Sequence, residues 1–426
     1  MPLLFTSLSA GTYLSKIMIS LISSFTYNGG ILATISTIAF IISLLAISGF
    51  FLFYPLLILL ASIIRNKKHV LLDFNKPSIS MIIVVRNGED LIREKIENAI
   101  SIIYPSDQYE IIIYSDGSTD RTIETVNPFL SERVHLYSCG EHAGKFRGLN
   151  EAVARSKGEL LFFSDTDAIL DRGAIMSMAK HFADPGIGGV CGRRVIGEQK
   201  KSLAEAQRNY FSFDAWTKKI ESRAGSITSN DGKLFAIRRA LFSSVPPGVT
   251  DDLYMALNVI KKNKRFIFES DALAFVRLPS RSAEHEIARR RRIVAGSLMG
   301  IFFMREVLNP FKHGLYSINL FLNKILRRLL PFCLILLFMS SLYLSFSRPF
   351  YLITFFLQAL FYFMALIYPL VFQKREGQGI IHRVYSNIFY FCIGNIGMLL
   401  GVLDFFIGKK IVKWTPIKKD SQEEIQ

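Results

Sequence analysis

The stretch ELLFFSDTDAIL, residues 159–170, runs apolar from Leu160 to Phe163 and then sets Asp165 and Asp167 one residue apart. In extended backbone, residues i and i+2 project to the same side, so the two carboxylates can converge on one object. Like charges that close repel unless a cation lies between them. Hard oxygen donors without His or Cys suit Mg2+ or Mn2+, which takes few carboxylates and completes its shell with substrate phosphates. The competing reading has Asp167 capping a helix over AILDRGAIMSMAKHF. At the mouth of a buried strand, the metal reading leads.

The elements that must position these acids alternate. SISMIIVV (78–85), EIIIYS (110–115), RVHLYS (133–138) and ELLFFS (159–164) read as strands. GEDLIREKIENAIS (88–101), TDRTIETV (119–126) and GKFRGLNEAVARS (144–156) read as helices between them. Such alternation predicts βαβ units and a mostly parallel central sheet, which binds ligands at the carboxyl ends of its strands. Asn87 follows the first strand, Asp116 the second and Asp165 the fourth, so all three gather on one edge. Singly, Asn87 reads as a turn residue and Asp116, in DGST, as part of a turn and helix cap.

This polar middle is framed by apolar sequence. Residues 17–64 contain no charged side chain, far more than the roughly 20 residues a bilayer span needs. Further apolar runs at 329–346, 350–372 and 385–408 predict about three more spans. Only Lys16 is charged before Arg65, so a cleaved signal peptide is not expected. RNKK (65–68) directly follows the first span, and Lys/Arg excess marks the cytoplasmic side, which places the middle in the cytosol. QKREGQGIIHR (373–383) is expected on the same side and SRP (347–349) in an outer turn, which leaves the side of GKKIVKWTP (408–416) open. Cys139, Cys191, Cys333 and Cys392 lie far apart without a C-x-x-C pair, so neither a disulfide framework nor a zinc site is expected. The net charge of +16 fits anionic lipid head groups and a nucleotide-bearing substrate, and a nucleic-acid role is not expected.

The chain resembles the membrane-embedded family-two glycosyltransferases of GT-A fold, the group of poly-N-acetylglucosamine, hyaluronan, chitin and cellulose synthases. The resemblance rests on VVRNGE (84–89), YSDGSTDRT (114–122), HAGKFRGLNEAVARSKGELLFFSDTDAIL (142–170), SNDGKLFAIRR (229–239), VTDD (249–252) and ARRRRIVAG (288–296). It implies a GT-A-type, Rossmann-like cytosolic domain flanked by transmembrane helices and an interfacial amphipathic region. The expected boundaries are a membrane region at 1–68 (one strong span, with room for a second), the transferase domain at 69–283, interfacial helices at 284–328, and spans with a basic tail at 329–426. It further implies that Asn87, Glu89, Asp116 and Asp165 meet the nucleotide sugar, that Asp165 and Asp167 form the metal-binding D-x-D, and that Asp252 is the catalytic base. The family's T-E-D falls on Thr250, Asp251 and Asp252, and its Q-x-x-R-W on Arg289, Arg292 and Ile293. Asp251 and Ile293 would lie on the acceptor side. Ser115 stands where the family has a second aspartate before Asp116, Arg289 where it has Gln, and Ile293 where it has Trp.

Glycosyl transfer from a nucleoside diphosphate needs a stabilised leaving group and an activated acceptor hydroxyl. The first would come from the metal as Lewis acid, with charge-assisted contacts from Arg289 and Arg292. Lys145 is a further candidate, against its reading as a solvated residue at a helix start. Asp252 would take the acceptor proton, its affinity for that proton raised by neighbouring Asp251. TDD also reads as a helix N-terminus, with Thr250 as the cap and acids in the first turn. Both can hold, because a capped helix fixes a base. Arg290 and Arg291 are expected to contact lipid, and GMLLG (397–401) to pack helices.

The expectation is therefore an inverting, Mg2+- or Mn2+-dependent enzyme of the cell membrane. It would move a sugar from a UDP-sugar onto a growing polysaccharide at the cytoplasmic face, with coupled export as an extension. Two alternatives stay open: single-sugar transfer to a ceramide or polyprenyl-phosphate lipid, and a non-catalytic export component with a degenerate transferase domain.

Overall fold

The computed structural model describes residues 30–65, 75–197, 202–276, 282–371 and 379–409. Most of the basic runs at 65–68 and 373–383, and the tail from residue 410, lie outside them.

The chain enters through helix α1 (Ile31–Arg65), whose mid-point widens at Gly49–Phe53. Strands and helices then alternate: β1 (Ile79–Val85), α2 (Ile92–Ile100), β2 (Tyr109–Asp116), α3 (Thr122–Val126), β3 (Val134–Cys139), α4 (Lys145–Arg155) and β4 (Leu160–Phe163). There follow β5 (Ala168–Leu170), α5 (Ala174–Ala179), β6 (Ile187–Ile196), α6 (Ser202–Ala224), β7 (Phe235–Arg238), α7 (Asp251–Lys261) and β8 (Arg265–Val276). The last part is helical: α8 (Ala283–Phe303), α9 (Leu315–Leu344), α10 (Pro349–Val371) and α11 (Ile380–Phe406).

The eight strands form one sheet in the order β3-β2-β1-β4-β7-β6-β8-β5. β3, β2, β1 and β4 run parallel, as the βαβ pattern requires, while β7 pairs antiparallel with both β4 and β6. The sheet is thus mixed, with its parallel half carrying the acids. The period of two is visible in β1, where Ile79, Met81, Ile83 and Val85 join the core under α2 and α5. Ile82 and Val84 join the opposite core with Leu149 of α4 and Leu257 of α7. Each fully buried aliphatic side chain contributes about 1.5–3 kcal/mol, and a one-residue slip would exchange the two faces. Register matters for the site: Val85 lies beside Ser115 and Ile82 beside Phe163, which aligns the loops carrying Asn87, Asp116 and Asp165.

One local expectation fails. Residues 168–170 form not a helix but β5, paired antiparallel with β8, and the helix begins only at Ala174. Asp167 therefore caps no helix. Pairing with a strand about a hundred residues later outweighs the local helical pattern.

Among the described residues, four helices are long and apolar enough to cross a membrane: α1, α9, α10 and α11. Helix α9 begins at Leu315, inside the stretch expected to be interfacial, and continues without a break to Leu344. Its Asn323 and Lys324 donate to Thr228 Oγ1 and Ser229 Oγ at 2.8 Å each. Tyr54 of α1 donates to Glu221 Oε1 of α6 at 2.7 Å. These bonds join the long apolar helices to α6 and to the loop that leads into β7.

Helix α8 packs on α11 through glycines of GMLLG. A side chain at Gly397 or Gly401 would meet α8 backbone at 2.9 or 2.6 Å. This contact also corrects the expected lipid role of two arginines. Arg290 lies between the rings of Tyr210 and Tyr390, 5.2 and 4.9 Å from their centroids, and pairs with buried Glu286 at 2.6 Å. Arg291 binds Asp404 of α11, with Nη2 at 2.6 Å from Oδ1. Glu286 and two aromatic faces engage Arg290, and Asp404 engages Arg291, so both guanidiniums have partners within the chain.

Candidate active site

The loops after β1 and β2 are locked to each other. Asn87 takes a positive φ of 46°, and its Oδ1 accepts from Thr119 N at 2.8 Å. Glu89 Oε2 accepts from Arg121 N at 3.1 Å and pairs with its exposed guanidinium. Asn87 and Glu89 thus hold the 118–121 loop and do not line the cavity described below.

Asp116 is completely buried. It accepts from Ala143 N at 2.8 Å, Gly144 N at 3.0 Å and His142 Nδ1 at 2.9 Å. Gly144, at a φ of +101°, supplies a turn that a side chain would strain. The effect of Asp116 is to fix the loop from which Lys145 opens α4.

Lys145 points across the strand ends. Its Nζ lies 2.9 Å from Asp165 Oδ1 and 3.0 Å from Asp251 Oδ2. A second ammonium, Lys233 Nζ, lies 2.5 Å from Asp167 Oδ1 and 3.1 Å from Asp165 Oδ2. Asp165 and Asp167 therefore converge on a single cationic group, through a turn at 166–167 and not through the extended backbone expected from their spacing. Burial pushes the Asp165 carboxyl up, but Lys145 and Lys233 together hold it well below the usual carboxylate range. Burial likewise pushes Lys145 down, and Asp165 and Asp251 more than offset it, so its ammonium stays charged.

This donor set fits a hard divalent cation: two carboxylates aimed at one point. Among the described residues no group of three His, Cys, Asp or Glu side chains is arranged to hold a metal. A cation here would need oxygens from a substrate, as Mg2+ and Mn2+ sites on diphosphates commonly do.

The opposite wall is the start of α7 with one face of α8. Asp252 Oδ1 accepts from Leu253 N at 2.7 Å, and its carbonyl accepts from Asn230 Nδ2 at 3.0 Å. Burial, with the adjacent Asp251 charge, pushes the Asp252 pKa up to about 6. Thr250 stands at the N-cap position, but its hydroxyl makes no cap bond and is buried without a partner. The expected Thr250 cap is thus absent, and acids in the first turn favour the helix end instead. Thr250 N donates to Gly296 O at 3.3 Å, and a side chain at Gly296 would come within 3.1 Å of that nitrogen. Close approach of α8 brings Arg289, Arg292 and Ile293 to the same cavity, which has a volume of about 200 Å3.

Lys145, Asp165, Asp251, Asp252, Arg289, Arg292 and Ile293 are brought together on this cavity, with Asp167 behind Lys233. Gly232 separates its two poles: a Cβ there would lie 3.8 Å from Asp165 Oδ2 and 3.9 Å from Asp252 Oδ2. Lining residues without an assigned role in the sequence include Gly232, Lys233 and Arg194. Lys233 and Gly232 lie within SNDGKLFAIRR, and a charged pair inside the apolar strand β6 was the signal for Arg194. Arg194 Nη2 donates to Asp231 Oδ1 at 2.5 Å, and its guanidinium stacks on Phe211 at 4.7 Å.

Residues 80–245 match the family described as Glycosyl transferase family 2. The chain is 26% identical over 186 residues to a beta-monoglucosyldiacylglycerol synthase of Nostoc sp., covering 42% of this chain and 40% of that protein. It is 24% identical over 221 residues to a poly-beta-1,6-N-acetyl-D-glucosamine synthase of Staphylococcus aureus, covering 50% of this chain and 53% of that protein. The chain thus spans about half or less of these curated relatives. A mannosyltransferase from Pyrobaculum calidifontis, solved with GDP-Man and Mn2+, superposes with a TM-score of 0.62 at 21% identity. That match covers 87% of this chain and 99% of the other, and shows that the two share the GT-A fold.

Proposed function

From the premise that the chain carries a glycosyl transferase family 2 domain, we propose that it transfers a sugar from a UDP-sugar to a growing polysaccharide at the cytoplasmic face of a membrane. The observation that supports this best is the two-pole cavity. Asp165 and Asp167 aim at one cation on one side of Gly232, and Asp252, with a pKa of about 6, stands on the other.

A bound Mg2+ or Mn2+, held by Asp165 and Asp167, would supply Lewis acidity to the diphosphate. Lys145, Lys233, Arg289 and Arg292 surround the same space and offset the charge of the departing group. Asp252 accepts the proton of the acceptor hydroxyl as its oxygen bonds to the anomeric carbon and the bond to the diphosphate breaks. A carboxylate with pKa near 6 is charged at neutral pH yet more basic than an ordinary aspartate, which suits a general base. With base and leaving-group pole on opposite sides, one displacement suffices and the anomeric centre inverts. The four long apolar helices among the described residues fit a membrane-bound enzyme.

A second reading, single-sugar transfer to a lipid, is favoured by Ile293. It places an apolar side chain on the cavity wall where the family carries Trp. The test is purified protein in detergent with Mn2+ and a panel of UDP-sugars, read as UDP release. Release from at least one donor is expected. A water-soluble product supports polymer synthesis, an organic-soluble one the lipid acceptor. No release from any donor by folded protein would overturn the assignment.

A further inference from the structure

Lys95 takes no part in the steps above, yet it is completely buried. It lies on α2 among Ile92, Ile96 and Ala99, a face otherwise apolar. Covering the sheet needs only apolar residues there, and burial, which pushes the Lys95 pKa down to about 7, makes an amino group in such a place unfavourable unless it is hydrogen-bonded. Its Nζ donates to Ser164 Oγ at 2.7 Å and to the Ala168 carbonyl at 2.6 Å. Those residues flank Asp165–Asp167 on either side. The amino group therefore closes the turn from beneath, while Asp165 lines the cavity and Asp167 meets Lys233 behind it.

The link continues. Ser164 Oγ donates to the Lys233 carbonyl at 2.8 Å, so it also reaches the backbone of the residue whose Nζ bridges the carboxylates. One helical turn later, Asn98 exchanges two 2.8 Å bonds with the backbone of Leu170. Asn98 ties α2 to β5 without touching the turn, and so provides a natural control.

We propose that Lys95 is a positioning residue of the cation site, its buried amino group fixing the separation and aim of Asp165 and Asp167 by hydrogen-bonding both ends of their turn. This rests on the reading of that pair as the cation holder.

The test is Mn2+ binding to the full chain in detergent with UDP present, read from the electron paramagnetic resonance signal of free Mn2+, with thermal unfolding alongside. Lys95→Met keeps the volume and removes the clamp, and should weaken Mn2+ binding about 10-fold or more, as loss of outer-shell partners does elsewhere. Where Lys95→Met does not fold, Ser164→Ala, which keeps the amino group and breaks the link, decides with a shift in the same direction. Asn98→Ala should lower the melting temperature and leave Mn2+ affinity unchanged. Unchanged or tighter Mn2+ binding in the deciding variant overturns the inference, as does an equal loss in Asn98→Ala. Wild-type protein that binds no Mn2+ with UDP overturns the cation site itself, and the inference with it.

Discussion

Asp252→Asn should stabilise the protein while stopping its chemistry. The Asp252 pKa is about 6 in the folded chain against 3.8 for an ordinary aspartate. The folded state therefore holds this proton more tightly than the unfolded state does. That contribution to stability is complete below about pH 4 and is lost as pH rises through 6. A difference of about two pH units corresponds to about 3 kcal/mol at pH 8. Asparagine is neutral throughout, removes the repulsion with Asp251, and keeps an oxygen for Leu253 N, though a weaker acceptor than a carboxylate. A net gain of about 1–3 kcal/mol remains, or several degrees of melting temperature for a domain of this size. The assay is thermal unfolding in detergent at pH 4 and pH 8. The melting temperatures of wild type and variant should nearly coincide at pH 4 and separate at pH 8, with the variant higher. Turnover should fall on the order of 10²–10⁴-fold, with UDP affinity near wild type. A variant less stable than wild type at pH 8 would show the carboxylate to be a structural anchor of α7. Normal turnover would move the base elsewhere, with Asp251 the next candidate.

Chelation by EDTA should abolish donor turnover, with Mn2+ or Mg2+ restoring it, and full activity under thorough chelation would leave Asp165 and Asp167 purely structural. Wild-type rate should fall as pH drops through about 6, because protonated Asp252 cannot act as base, and a flat profile from pH 5 to 8 would contradict that role. Gly232→Val should fill the space between Asp165 and Asp252 and reduce kcat/KM about 10-fold or more for loss of positioning, without lowering the melting temperature, and unchanged kinetics would place the substrate elsewhere.

Much of this was legible in the sequence for a physical reason. Runs such as SISMIIVV and ELLFFS are buried on both faces, so their composition alone marks them as central strands, and the ligand edge follows from strand direction. Asp165 and Asp167 do converge, but through a turn at 166–167 and not by the i, i+2 alternation of a strand. What escaped depended on partners far along the chain. Lys233 meets Asp167 across 66 residues, and Arg290 meets the Tyr390 ring across a helix contact that no local pattern encodes. The helix expected after Asp167 gave way to β5 because β8 completes its hydrogen bonds. Thr250 looked like a cap by type and position, but the close approach of α8 at Gly296 engages its backbone instead.

The proposed division of the cavity into a leaving-group pole and a base pole is tested most directly by the anomeric configuration of the product. An α-configured UDP-sugar should give a β-linked product with wild-type protein, and no product with either Asp165→Asn or Asp252→Asn. An α-linked product, or product formed by both variants at the wild-type rate, would contradict single displacement between those two carboxylate poles.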